Sequence, residues 1–275
     1  MSKVGYVNKD ADTIIVPVGD YHSGSNYALF VDRFWQGKNE MNRRPSVKQE
    51  QIRKQFELAC EQIKLARKNK RLILVHNGDA IDGDHHNSSD VCTNQVDDQA
   101  KIHIELMEET KKRLNWQRGD ELYYTLGTEI HTGNSEYNIA DAVNAEILPE
   151  LRLTVNKRVL HFVHHGPGAG DGANEGNAIR NWLRNIYINA SKDEERAPDV
   201  VYSAHVHNPT MGVYEHRSKM VFNIMYGIIS PPFQVKTRYA LKVAPVKKNR
   251  VGMVYQEIKA DGTICIPIFS VTEIK

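Results

Sequence analysis

The 275 residues carry 36 basic against 34 acidic side chains, a formal charge of +2, so the chain as a whole is no polycation built to coat nucleic acid. With 40% hydrophobic and 25% charged residues its composition is that of an ordinary globular protein, and we expect one domain over residues 1–275. The N-terminus lacks an apolar signal core, no apolar run approaches the roughly 20 residues of a membrane helix, and Cys60, Cys92 and Cys265 show neither metal nor redox spacing, which together predict a cytoplasmic protein that makes no membrane contact.

Residues 13–18 (TIIVPV) form an apolar, β-branched run closed by Gly19 and Asp20, the pattern of a buried strand entering a loop. Residues 71–76 (RLILVH) repeat it. Between them, Ile52, Phe56, Ala59, Ile63 and Ala66 recur at steps of three and four and predict an amphipathic helix over 47–69, giving a βαβ unit. Ala100, Ile104, Met107 and Leu114 mark a second helix, followed by a strand at 121–126 that ends at Gly127. A helix over 137–148 comes next, then a hairpin of 151–155 and 158–163 around Asn156 and Lys157, a glycine-rich loop at 166–172, a helix over 175–190 and a strand at 199–203. Beyond Asn208 the runs 211–216, 219–225, 239–243, 251–258 and 263–269 read as successive strands. The predicted fold class is α/β, with two stacked mixed sheets and helices outside.

Residues able to bind a metal collect where strands hand over to loops, the place at which ligands gather in open α/β sheets. The first strand leads to Asp20 and His22, two residues apart and so able to point to one side of an extended backbone. The next gives Gly78-Asp79 and then Asp82. The third gives Gly127-Thr128-Glu129-Ile130-His131, the hairpin gives His164-His165-Gly166, and the last gives His205-Val206-His207. Each alone is common, since Gly-Asp makes plain turns and most of the 12 histidines have ordinary uses. His85, His86, His103, His161 and His216 are read as surface or core residues.

In the order D-x-H, G-D-x-x-D, G-x-x-x-H, H-G, H-x-H, the chain resembles the calcineurin-like metallophosphoesterase family over residues 13–208. The resemblance implies a four-layer α-β-β-α sandwich whose second sheet is completed by strands within 209–275. It implies two divalent metal ions, manganese first, with zinc, iron, magnesium or nickel as alternatives. Asp20, His22 and His207 would hold one ion, His165 and His205 the other, with Asp79 bridging; His165 is preferred to His164 because the family ligand directly precedes the glycine. Asp82 would orient a ligand or water. Where the family has G-N-H-[DE], this chain has no Asn. Glu129 is favoured as the replacement ligand because a carboxylate binds hard cations better than a hydroxyl, Thr128 has the better register, and water is the third option. His131 would act as the general acid.

Such a site implies hydrolysis of phosphoesters by a water activated between the two ions. The form Asp20-Tyr21-His22-Ser23-Gly24 resembles the D-x-H-x-G of the family's nuclease branch, which points to a phosphodiester: a nucleotide or nucleic acid as substrate. Lys236, Arg238, Lys242, Lys247, Lys248 and Arg250, with no acid among them, would track a phosphate backbone or form a solvated edge. The competing reading is a metal-binding scaffold or interaction protein that keeps the fold without catalysis.

Overall fold

The computed structural model describes residues 4–7, 11–36, 39–42, 44–83, 90–170, 174–218, 221–237 and 248–274. The strands β1 (Val4–Val7), β2 (Thr13–Val18), β3 (Arg33–Gln36) and β4 (Asn39–Asn42) precede helix α1 (Val47–Arg67). Ser46 starts this helix with a capping box: its hydroxyl accepts from the Gln49 amide at 3.2 Å, while the Gln49 side chain accepts from the Ser46 amide at 3.1 Å. Then come β5 (Arg71–Asn77), α2 (Val96–Arg113), β6 (Glu121–Thr125), α3 (Glu129–Thr132), α4 (Ser135–Ala142) and β7 (Glu146–Leu148). The expected helix over 137–148 stops at Ala142. Asn144 takes a left-handed turn, φ 55°, and the remaining residues join β6 as a parallel strand.

The hairpin of β8 (Leu151–Val155) and β9 (Arg158–His165) turns at Asn156 and Lys157, both with positive φ, as a two-residue loop requires. Helix α5 (Asn177–Lys192) follows, then β10 (Val200–Ala204), β11 (Thr210–Ser218), β12 (Val221–Ile229), β13 (Arg250–Ile258) and β14 (Ile268–Glu273). The strand expected at 239–243 lies outside the described residues.

Two mixed six-stranded sheets result, ordered β14-β13-β2-β5-β6-β7 and β1-β8-β9-β10-β12-β11. In the first, β2, β5, β6 and β7 run parallel; in the second, β9, β10 and β12 do. The apolar runs of β2 and β5 are continuous because both faces are buried. Alternation sorts them: Ile14, Val16, Leu72 and Leu74 face Phe56 and Ile63 of α1 and Leu106 of α2. Ile15, Ile73 and Val75 face the other sheet, where they meet Leu153, Phe162 and Tyr202. A third cluster packs Ile179 and Leu183 of α5 against Val201 and Ile229. These clusters define the four layers of an α-β-β-α sandwich, as expected.

The strands within 209–275 do not all complete the second sheet. β11 and β12 extend it, but β13 and β14 join the first sheet beside β2. The cause is burial: Val251 and Met253 of β13 belong to the layer under α1, and Val254 and Ile258 to the layer between the sheets, so this strand requires cover on both faces.

Candidate metal centre

Strands β2, β5 and β6 of one sheet and β9 and β10 of the other release their C-terminal residues at a common edge. Asn77 joins the sheets there: its amide nitrogen donates to the carbonyls of Val163 (2.9 Å) and Tyr202 (3.3 Å), and its amide oxygen accepts from the Thr125 hydroxyl at 2.6 Å. Past this point Asp20, His22, Asp79, His205 and His207 all adopt positive φ, between 43° and 69°. Non-glycine residues rarely do so, and strain of this kind persists only where the surroundings over-determine it.

Asp20, His22 and His207 form one donor group, each with a ligand atom within 4.8 Å of the others. The His22 and His207 Nε2 atoms stand 3.1 Å apart. Asp82 approaches His22 Nδ1 at 3.1 Å, off the line of a good hydrogen bond, and accepts from the Gln234 side-chain amide at 2.9 Å. Asp82 thus braces the rear of the His22 ring. Gln234 is a supporting residue that its neighbours in sequence give no sign of.

Asp79 lies at the centre. Its carboxylate receives the Thr128 amide at 2.7 Å and faces His22 Nε2 at 3.9 Å, His164 Nε2 at 3.2 Å and His205 Nδ1 at 3.8 Å. Asp20, Asp79 and His164 form a second donor group, and His164, His165 and His205 a third. Two glycines make this crowding feasible. A Cβ on Gly78 would sit 2.3 Å from His164 Nδ1, and one on Gly127 would sit 2.2 Å from the Asp79 amide nitrogen.

One of the expected ligand choices lies outside the donor groups. Glu129 is exposed, at the start of α3, and belongs to no donor group among the described residues; Thr128, one residue nearer the strand end, turns its hydroxyl to within 3.3 Å of Asp79 Oδ2 and of His164 Nε2. Thr128 is the cap residue of α3 with extended backbone and Glu129 the first helical residue, so the helix start decides which of the two enters the site. Of the His164-His165 pair, His164 is buried against Asp79, while His165 stands exposed beside it and shares a donor group with His164 and His205.

His131 also reaches the edge. Its Nδ1 donates to the Asp82 carbonyl at 3.0 Å, its ring lies 5.0 Å from that of His22, and it forms a further donor group with His22 and Asp79. Behind it, fully buried Glu136 of α4 accepts the Ala80 amide at 3.1 Å and the Gly127 amide at 2.7 Å, binding the loop after β5 to the loop after β6. Burial drives the Glu136 carboxyl up to about 7 against the pull of those two amides. His103, read as a surface or core residue, is fully buried with one ring nitrogen on Ser23 Oγ (3.1 Å) and the other on the Tyr124 hydroxyl (3.0 Å). Burial holds it down at about 3, so it is neutral. His161 meets Glu150 and His216 lies against Tyr187 at a tilt of 31°, while His85 and His86 lie outside the described residues.

Asp20 and Asp79 are 0% and 1% exposed, and among the described residues their ion-pair partners are histidines alone. Burial pushes the Asp20 carboxyl up to about 6, partly offset by His164. Burial acts likewise on Asp79, but His164 and His205 overcome it and hold that carboxyl far below the usual range. His164 rises to about 9 because its bond to Asp79 outweighs burial. Two carboxylates buried without lysine or arginine, ringed by imidazole nitrogens, form a donor set that fits divalent cations. Of the basic run, Lys248 pairs with Glu273 and Arg250 with Glu175; residues 238–247 lie outside the described part. Among the described residues no helix is long and apolar enough to cross a membrane.

No protein-family model matches the chain, and no curated protein does. Among solved structures it is similar to a conserved uncharacterized protein from Streptococcus pneumoniae TIGR4, a "predicted phosphoesterase", at 8% identity and a TM-score of 0.35, covering 96% of this chain and 99% of that one. A protein of unknown function from Aquifex aeolicus shares 14% identity over 71% of this chain and 80% of its own, with a TM-score of 0.29. Both likenesses are loose, and the functional argument rests on the site itself.

Proposed function

We propose that the chain is a metal-dependent phosphoesterase that hydrolyses phosphodiesters of the nucleotide or nucleic-acid class, within a single domain in the cytoplasm. The observation that carries the reading is the pair of buried carboxylates, Asp20 and Asp79, enclosed by His22, His164, His205 and His207 with no other counter-charge among the described residues. Asp20, His22 and His207 would hold one cation, His164 and His205 the other, with Asp79 between them. When bound, a pair of such cations lowers the pKa of a water and neutralises phosphate charge.

The chain's own residues supply the rest. Asp82 and Gln234 keep the His22 ring aimed into the site. The Thr128 amide fixes one oxygen of Asp79, so that its carboxylate cannot swing away. His131, held by the Asp82 carbonyl, would hand a proton to the departing alkoxide. The D-x-H-x-G form at Asp20 to Gly24 supports a diester over a monoester.

The test is to incubate the purified chain with manganese and, in parallel, a chromogenic phosphodiester, a phosphomonoester and single-stranded DNA. Cleavage of the diester is expected, with the monoester slower. Bound metal without turnover on any of the three would favour the scaffold reading, for which the exchange of the family's amide for Thr128 is the one structural argument.

A further inference from the structure

We infer that the position opposite Asp20 and His22 is a three-imidazole site, in which His164, His165 and His205 join Asp79 and the second imidazole of the His164-His165 pair replaces the amide missing from the third motif. Such a site selects a borderline cation of the zinc or cobalt class over magnesium or calcium. The inference rests on the proposed metal-binding reading and goes further, to the make-up and selectivity of one position.

The geometry of His164 fixes which nitrogen faces the site. Its Nδ1 donates to the Asn77 carbonyl at 2.7 Å, so Nε2 is the atom left to take a cation in place of a proton, and it lies 3.2 Å from Asp79 Oδ2 and 3.3 Å from Thr128 Oγ1. A backbone carbonyl on the far nitrogen is how ligating histidines are commonly held. Thr128, at the place of the missing amide, spends its N–H and its hydroxyl on Asp79, at 2.7 and 3.3 Å, and a neutral hydroxyl is a weak donor to begin with.

His165 supplies what Thr128 lacks. Its ring lies 4.7 Å from that of His164 and 4.4 Å from that of His205, centre to centre, and ligand nitrogens of all three come within 4.8 Å of one another. The two positions therefore differ in chemistry. One is built from Asp20, His22 and His207 around Asp79, an even mixture of oxygen and nitrogen; the other has three nitrogens to a single carboxylate. Imidazole suits zinc, iron, cobalt and nickel, whereas carboxylate and water suit magnesium, calcium and manganese.

The experiment is a cobalt(II) titration of chelator-stripped protein, followed by visible absorption and by elemental analysis after gel filtration. Two unequal binding steps are expected. Zinc should displace the tighter cobalt, and a large excess of magnesium should not. His165→Ala, at an exposed position and checked for an intact fold by circular dichroism, should weaken the tighter step at least about 10-fold and leave the weaker one unchanged. His165→Asn should restore occupancy while shifting preference towards manganese and magnesium. If His165→Ala leaves both steps unaltered, or magnesium competes equally with zinc, the three-imidazole assignment is wrong although the metal centre stands. If the unmodified protein binds no cobalt, the failure lies instead with the metal-binding reading.

Discussion

His131 shows how much chemistry hangs on one side chain. Its ring is anchored through Nδ1 to the Asp82 carbonyl and stands beside His22, close enough to the donor groups for either of two roles. As a general acid it contributes to rate and not to metal binding. His131→Ala is therefore expected to lower turnover about 100-fold or more while metal content stays intact, as measured by steady-state kinetics beside elemental analysis. Loss of one metal equivalent would make it a ligand and overturn the acid role. At this scale the sequence was legible for Asp20, His22, Asp79, His205 and His207, which the fold gathers at a common edge. It misled at Glu129, which opens α3 and faces away while its cap residue Thr128 turns to Asp79, because no motif spacing tells which of two adjacent residues turns inward. Ligand chemistry favoured Glu129, but backbone register put Thr128 there.

Between elements, Glu136 is the residue that composition hides. A glutamate in the first turn of a helix ordinarily faces solvent and favours the helix dipole; this one is fully buried and ties the Ala80 and Gly127 amides, so that the ends of β5 and β6 keep a fixed separation. Its carboxyl is raised from 4.5 to about 7 by burial, so the folded protein retains a proton that the unfolded chain releases. The resulting stability is fully present below the unfolded value and is lost as pH rises through the folded one, a swing of roughly 3 kcal/mol. Urea unfolding of chelated protein should show it. Between pH 4 and pH 8 the Glu136→Gln variant, which cannot ionise, should gain on the unmodified chain by about that amount; a difference that does not vary with pH would refute the shift. Other inter-element features were readable in advance, among them the βαβ unit through α1 and the Asn156-Lys157 hairpin, because apolar period and turn chemistry are local. The division of β13 and β14 from β11 and β12 was not, since which sheet a strand joins is decided by the layers that cover it.

For the whole molecule, two sheets are stacked so that the C-terminal ends of five parallel-running strands meet, and Asn77 stitches the sheets at that seam. The sandwich was foreseeable from continuous apolar runs alternating with amphipathic helices. The proposed role rests on electrostatics: two buried carboxylates whose ion-pair partners among the described residues are histidines alone would gain from added positive charge. Cation binding to the folded state alone would stabilise it by mass action. The most direct measurement is the divalent metal content of the purified chain beside that of Asp79→Ala, a substitution that removes the carboxylate common to both positions. About two equivalents in the unmodified protein, falling to less than one in the variant, is the predicted result; a chain that carries no metal above background, or a variant that keeps both ions, would contradict it.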